Sequence, residues 1–225
     1  MKISNLILTL LFLSASITVH AQWWGGGKSV SGEGPRVTKT IDLDDFTGIG
    51  LSLGADVHLE QGSKQKVTIK AQQNIIDLIQ KEVRGGEWKI GFEKGINLRR
   101  HDGIDIYITI PTVDKLAIAG SGSITGKNDF KNVKDLEVSI AGSGDVELSG
   151  SGDDLEISIA GSGNVELADF ETNDCDVSIA GSGDCEIHVN GSLYVSIAGS
   201  GDVKYRGNPA KVKSKVAGSG DVRSF

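Results

Sequence analysis

The tetrapeptide Ala-Gly-Ser-Gly occurs six times in the second half of the chain, starting at Ala119, Ala141, Ala160, Ala180, Ala198 and Ala217. Successive copies lie 22, 19, 20, 18 and 19 residues apart. A unit of about 20 residues cannot bury an apolar face alone, so such units must stack on one another and share a core.

Alignment on the repeated Ala shows what that core contains. Three residues before it stand Leu116, Val138, Ile157, Val177, Val195 and Ser214. One residue before it stand Ile118, Ile140, Ile159, Ile179, Ile197 and Val216. Five after it come Ile124, Val146, Val165, Cys185, Val203 and Val222, and seven after it in four copies Leu148, Leu167, Ile187 and Tyr205. These offsets are all odd, so in an extended chain they share one face. The intervening positions are polar: Ser139, Ser158, Ser178 and Ser196 before the bend, Glu147, Glu166 and Glu186 after it. Each unit reads as two short strands joined at Gly-Ser-Gly, where glycine suits a corner needing positive φ or close backbone approach. The expected fold is all-β: a right-handed parallel β-helix, or solenoid, of about 20-residue coils, because parallel crossovers are almost always right-handed. Ser214 and Ser224 at interior slots mark a weaker terminal coil.

Before the repeats the pattern changes. Residues 1–21 read as a signal peptide: Lys2, an apolar run from Leu6 to Leu13, and a small residue, Ala21, before the cleavage point. The apolar run is short for a membrane span, and no Cys follows it to carry a lipid, so an exported protein is expected, in the periplasm, at the cell surface or secreted. Residues 22–36, with Trp23-Trp24 and several Gly and Ser, read as a flexible leader. Residues 37–111 read as an N-terminal β-rich cap, with alternation at Val57 and Leu59, Val67 and Ile69, and Ile104 to Ile110. Within it Ile75, Ile76, Leu78 and Ile79 suit a helical turn. Residues 112–225 are the solenoid.

The Ser-Ile-Ala-Gly-Ser-Gly-Asp repeats after a β-rich segment resemble the bacterial family described as putative auto-transporter adhesin, head GIN domain. The resemblance covers about residues 46–222. It implies a secreted or surface β-helical protein with no catalytic residues to carry over.

Composition narrows the function classes. The net charge of −7 gives no reason to seek nucleic acid. Aromatic residues make up 5% of the chain, so stacking platforms are few. The residue after each bend is Ser123, Asp145, Asn164, Asp184, Asp202 or Asp221. Stacking puts these in a row, and Asp145, Asp184, Asp202 and Asp221 are candidate Ca²⁺ ligands. The competing reading is that each side chain accepts hydrogen bonds from its local turn, which Asn164 does equally well. Lys94, Arg99, Arg100 and His101 form a basic loop that is either a candidate contact for an anionic partner or a solvated loop. Cys175 and Cys185 occupy slots held elsewhere by Leu and Val, which favours buried free thiols over a disulfide. No His lies beside the Ser row, and no spacing suits zinc. The expected function is a noncatalytic, adhesin-like module with a glycan or protein partner. The alternatives are a structural protein that self-assembles as a homo-oligomer and, third, a carbohydrate-active β-helix enzyme.

Overall fold

The computed structural model describes residues 27–225, so the signal sequence and the Trp23-Trp24 pair lie outside the described residues. The N-terminal part contains β1 (Lys28–Val30), β2 (Arg36–Ile41), β3 (Gly48–Leu51), β4 (Asp56–Gln61), β5 (Lys66–Gln72), α1 (Gln73–Ile76), β6 (Val83–Arg84), β7 (Glu87–Ile90), β8 (Ile96–Leu98) and β9 (Asp105–Ile110). The repeats follow as β10 (Lys115–Gly120), β11 (Ser123–Gly126), β12 (Phe130–Gly142), β13 (Asp145–Glu147), β14 (Gly150–Gly161) and β15 (Asn164–Thr172). They end with β16 (Asp174–Gly181), β17 (Cys185–Val189), β18 (Ser192–Gly199), β19 (Val203–Arg206), β20 (Lys211–Gly218) and β21 (Val222–Ser224).

The repeats wind into a β-solenoid of about six turns, with coils about 20 residues apart. Strands before the bend stack in parallel as β10, β12, β14, β16, β18 and β20, the first face. Strands after it stack as β11, β13, β15, β17, β19 and β21, the second face. Register follows the sequence alignment: Ile118, Ile140, Ile159, Ile179 and Ile197 form one unbroken column, each almost wholly buried. Each such side chain contributes about 1.5–3 kcal/mol on burial. Cys175 sits between Leu155 and Leu193 and Cys185 between Val165 and Val203 in neighbouring interior columns, both buried and unbonded.

Both glycines of the repeat are required by the stacking. Gly181 has φ +142°, and a Cβ there would lie 2.1 Å from the Gly161 carbonyl oxygen one coil below. Gly183 would meet the Gly163 carbonyl at 2.2 Å. Between them the Ser182 amide donates to the Gly161 carbonyl at 2.8 Å, so the bend itself joins the ladder.

The stretch 37–111 does more than cap. Gly48 to Leu51 of β3 pair in parallel with Lys115 to Ile118, and Asp56 to Leu59 of β4 pair with Ser123 to Gly126. β7 and β9 form one further level beyond β3 and β4. The chain therefore lays down β3 and β4, crosses through β5, α1 and β6 to build the β7–β9 level on one side, and returns to start the repeats on the other. The interior columns run through unchanged, with Trp88 and Ile49 continuing Leu116, and Ile90 and Leu51 continuing Ile118. No Ala-Gly-Ser-Gly marks these levels, so sequence periodicity stops where the stack does not. Antiparallel pairing of β5 on β9, β2 on β5, and β6 on β7 ends the parallel stack on this side. The expected helical turn is α1, which buries Ile75 and Ile76.

Part of the leader read at 22–36 is anchored. β1 pairs in parallel with β8, the Gly32 amide donates to the Arg100 carbonyl, and the Glu33 amide to Asn74 Oδ1. The backbone of β8 and of Arg100 just after it, with the Asn74 side chain of α1, supplies these partners, a feature that Gly/Ser composition does not reveal.

At the opposite end β20 lies on β18, and among the described residues no strand covers its outer edge. All eight of its residues are exposed.

Candidate functional site

The row of residues after the bend becomes a hydrogen-bonded ladder on the second face. Asp145 Oδ1 accepts from the Asn164 amide at 3.2 Å, and Asn164 Oδ1 from the Asp184 amide at 3.2 Å. Asp184 Oδ1 accepts from the Asp202 amide at 2.8 Å, and Asp202 Oδ1 from the Asp221 amide at 2.9 Å. Each side chain therefore satisfies the next coil, not its own turn as the sequence suggested. The reason is the parallel stack, which brings the next coil's amide above each carboxylate. Among the described residues no three His, Cys, Asp or Glu side chains gather as a metal cage. Beside this ladder Glu147, Glu166 and Glu186 form an acidic column that changes sign at Lys204, whose Nζ lies 2.8 Å from Glu186 Oε1.

Register extends the ladder into residues that the repeat alignment did not reach. Asp56 pairs with Ser123 on one side and Asp105 on the other, and Ser123 Oγ donates to Asp56 Oδ1 at 2.8 Å. Asp105 is gripped by Arg36, lies 3.5 Å from His58 Nε2, and has the His58 and Tyr107 rings stacked at 4.7 Å beside it. Burial pushes the Asp105 carboxyl up, but the Arg36 hydrogen bond and charge, aided by His58, hold it below the ordinary carboxylate value. This group locks β2, β4 and β9 together where the antiparallel cap meets the stack.

The basic loop residues Lys94, Arg99, Arg100 and His101 are all exposed. Arg99 donates its amide to the Val30 carbonyl and its Nε to Ser29 Oγ at 3.2 Å, and the His101 ring nitrogen Nδ1 accepts from the Gly103 amide. Arg99 and Arg100 thus bind the leader down through β1 and Gly32.

The first face carries a different pattern. Its outer columns are acidic through the middle coils: Asp135, Asp154 and Asp174 in one, Glu137, Glu156 and Asp176 in the next, with the Ser row alongside. The columns break at the last two coils. Tyr194 follows Asp176, and Lys211, Lys213 and Lys215 stand where Asp, acidic and Ser residues precede. Lys211 Nζ lies 4.8 Å from the Tyr194 ring centre, and Lys213 Nζ lies 5.9 Å from it. A shallow trough of about 640 Å³ runs across this region, lined by Glu156, Asp176, Tyr194, Lys213 and the Ser178 and Ser196 hydroxyls among others. Its sequence signal is the set of departures from the alignment at 194, 211, 213 and 215, which a repeat pattern obscures because it is defined by what the copies share.

Both thiols are buried. Burial pushes Cys175 and Cys185 well above the ordinary thiol value, with Asp176 adding to the shift at Cys175. Among the described residues no helix is long and apolar enough to cross a membrane.

Solved structures support the architecture. A putative adhesin from Bacteroides fragilis is 21% identical, with 87% of this chain and 100% of that chain covered and a TM-score of 0.71. A putative lipid binding protein from Parabacteroides distasonis is 24% identical over 88% of this chain and 100% of that chain, with a TM-score of 0.59. A putative adhesin from Parabacteroides merdae is 20% identical over 88% and 99%, with a TM-score of 0.50. At these identities the likeness establishes the fold. None of the curated proteins matches the chain. Residues 45–209 match the family described as putative auto-transporter adhesin, head GIN domain, and with most of the solenoid inside that match the chain belongs to this family.

Proposed function

We propose that the mature protein is an exported, noncatalytic, adhesin-like module that engages a glycan or protein partner across its first face. The observation carrying this reading is the trough at the C-terminal coils, where Tyr194, Lys213 and Lys215 interrupt an otherwise repeated surface. An aromatic ring, hydroxyls, carboxylates and ammonium groups on a rigid sheet form a mixed surface suited to recognition, with donors and acceptors held by the coils beneath. Nothing in the Ser row resembles an activated nucleophile: its neighbouring columns are acidic residues and the repeated Ala. The Asp ladder serves the backbone, so binding should not need Ca²⁺.

The test is an array of glycans and matrix proteins probed with the mature chain, with Ca²⁺ and with chelator, alongside Tyr194→Ala. Specific binding that survives chelation and falls about tenfold or more with Tyr194→Ala is expected. Binding that vanishes on chelation would move the site to the Asp ladder. No binding in any condition overturns the proposal.

A further inference from the structure

We propose that the outer edge of β20 is a docking site for an extended acidic segment of a partner protein, which adds to the first face as its next parallel strand. This goes beyond the trough reading, because backbone groups along an edge, and not side chains across a face, hold the partner.

The edge is built for continuation. Val212 and Val216 extend interior columns whose preceding members, Leu193 and Ile197, are buried, yet they are 41% and 40% exposed. A strand laid on β20 covers both valines and pairs an unused row of amides and carbonyls, as in other strand additions.

Charge specifies the occupant. Lys211 and Lys213 stand at the slots that hold Asp174 and Asp176, and before them Asp154 and Glu156, in the coils below. Between the lysines and those acids lies a coil carrying Ser192 and Tyr194 there, so the lysines are separated from their own chain's carboxylates. Among the described residues Lys211, Lys213 and Lys215 make no salt bridge. Residues 203–225 hold six Lys and Arg against one acidic residue, whereas residues 129–186 hold fifteen Asp and Glu against two Lys. The molecule therefore presents a cationic edge at the end of an acidic body.

A second copy fits this edge poorly. In-line stacking that continues the coils needs the outer edges of β7 and β9, which antiparallel β6 and β5 occupy, and the edge left at that end, β2, continues the second face and not the first. Two-fold antiparallel pairing of β20 with itself sets lysines against lysines, and like charges directly opposite are destabilising. An incoming strand with acids at the slots facing Lys211 and Lys213 gives each lysine an opposite charge directly across the ladder.

The probe is a synthetic peptide copying residues 153–161, in which Asp154 and Glu156 fall opposite Lys211 and Lys213. Its control carries Asp154→Lys and Glu156→Lys. The full mature chain should bind the acidic peptide, with slowed amide exchange in β20, and bind the control about tenfold or more weakly. The exposed double variant Lys211→Glu/Lys213→Glu should reverse the preference without unfolding the chain. Failure of both peptides would make the lysines guards of an idle edge and overturn the proposal. Equal binding of both, or binding without β20 protection, overturns it too. A concentration-dependent dimer that protects β20 would assign the edge to a second copy instead. Array binding through the trough and peptide binding at the edge are separate readouts, so either reading can fail alone.

Discussion

At the scale of single residues, the side chains of Asp145, Asn164, Asp184 and Asp202 after the bend have a backbone duty. Asp184 spans from its own coil to the amide of Asp202 at 2.8 Å, and Asn164 performs the same task with an amide oxygen. Asp184→Asn should therefore leave the thermal midpoint nearly unchanged. Asp184→Ala should cost about 1 kcal/mol, the usual net value of one such bond. Thermal melts of the two variants, each with Ca²⁺ and with chelator, check this. A calcium-dependent melt that Asp184→Asn abolishes would show that the carboxylate charge itself is used. The residue type at this row was legible from the repeat alignment. Its partner was not, because a local turn and a neighbouring coil offer the same amide donor, and only stacking decides between them.

At the scale of the element, the two glycine columns govern whether coils can approach to strand spacing. Gly181→Ala meets both a left-handed φ and the Gly161 carbonyl, and should lower stability by about 3 kcal/mol or more. Gly34, with φ +71° and no atom within 4 Å of where an added methyl would sit, is the control: Gly34→Ala carries the conformational cost alone, about 1–2 kcal/mol. Denaturant titration of both variants separates steric stacking from φ alone. The alternating offsets read in sequence placed the interior columns of β10 to β19 because period-two patterning fixes which face is buried. The same pattern in β4 and β9 gave strands without showing that they are coil levels. Strand alternation is identical whether a neighbour is parallel or antiparallel, so pairing partners had to come from the structure.

At the scale of the whole molecule, the parallel stack of the described residues ends under antiparallel strands on one side and as a bare coil on the other, and stability should follow that asymmetry. A solenoid coil is held mainly by its neighbours, so a coil with one neighbour opens first. Native-state hydrogen exchange should be fastest in β20 and β21 and slowest in coils such as β14 and β16, which are covered on both sides. Uniform exchange along the chain would mean that the terminal coil is covered in solution. The weakness of this last coil was visible in Ser214 and Ser224, and the family resemblance in the repeated motif. The basic loop at 94–101 drew notice as a charge run, yet two of its members hold down β1, whereas the lysines of β20 gained meaning only when the register set them over the acidic columns. The sequence by itself determined the repeating coil, its interior face and the need for glycine at the bend, because those depend on period, side-chain chemistry and backbone sterics within a few residues. Tertiary structure alone decided the order in which the first levels stack, the antiparallel strands that end the stack on one side and the charge step at the other, because each depends on which distant strands become neighbours.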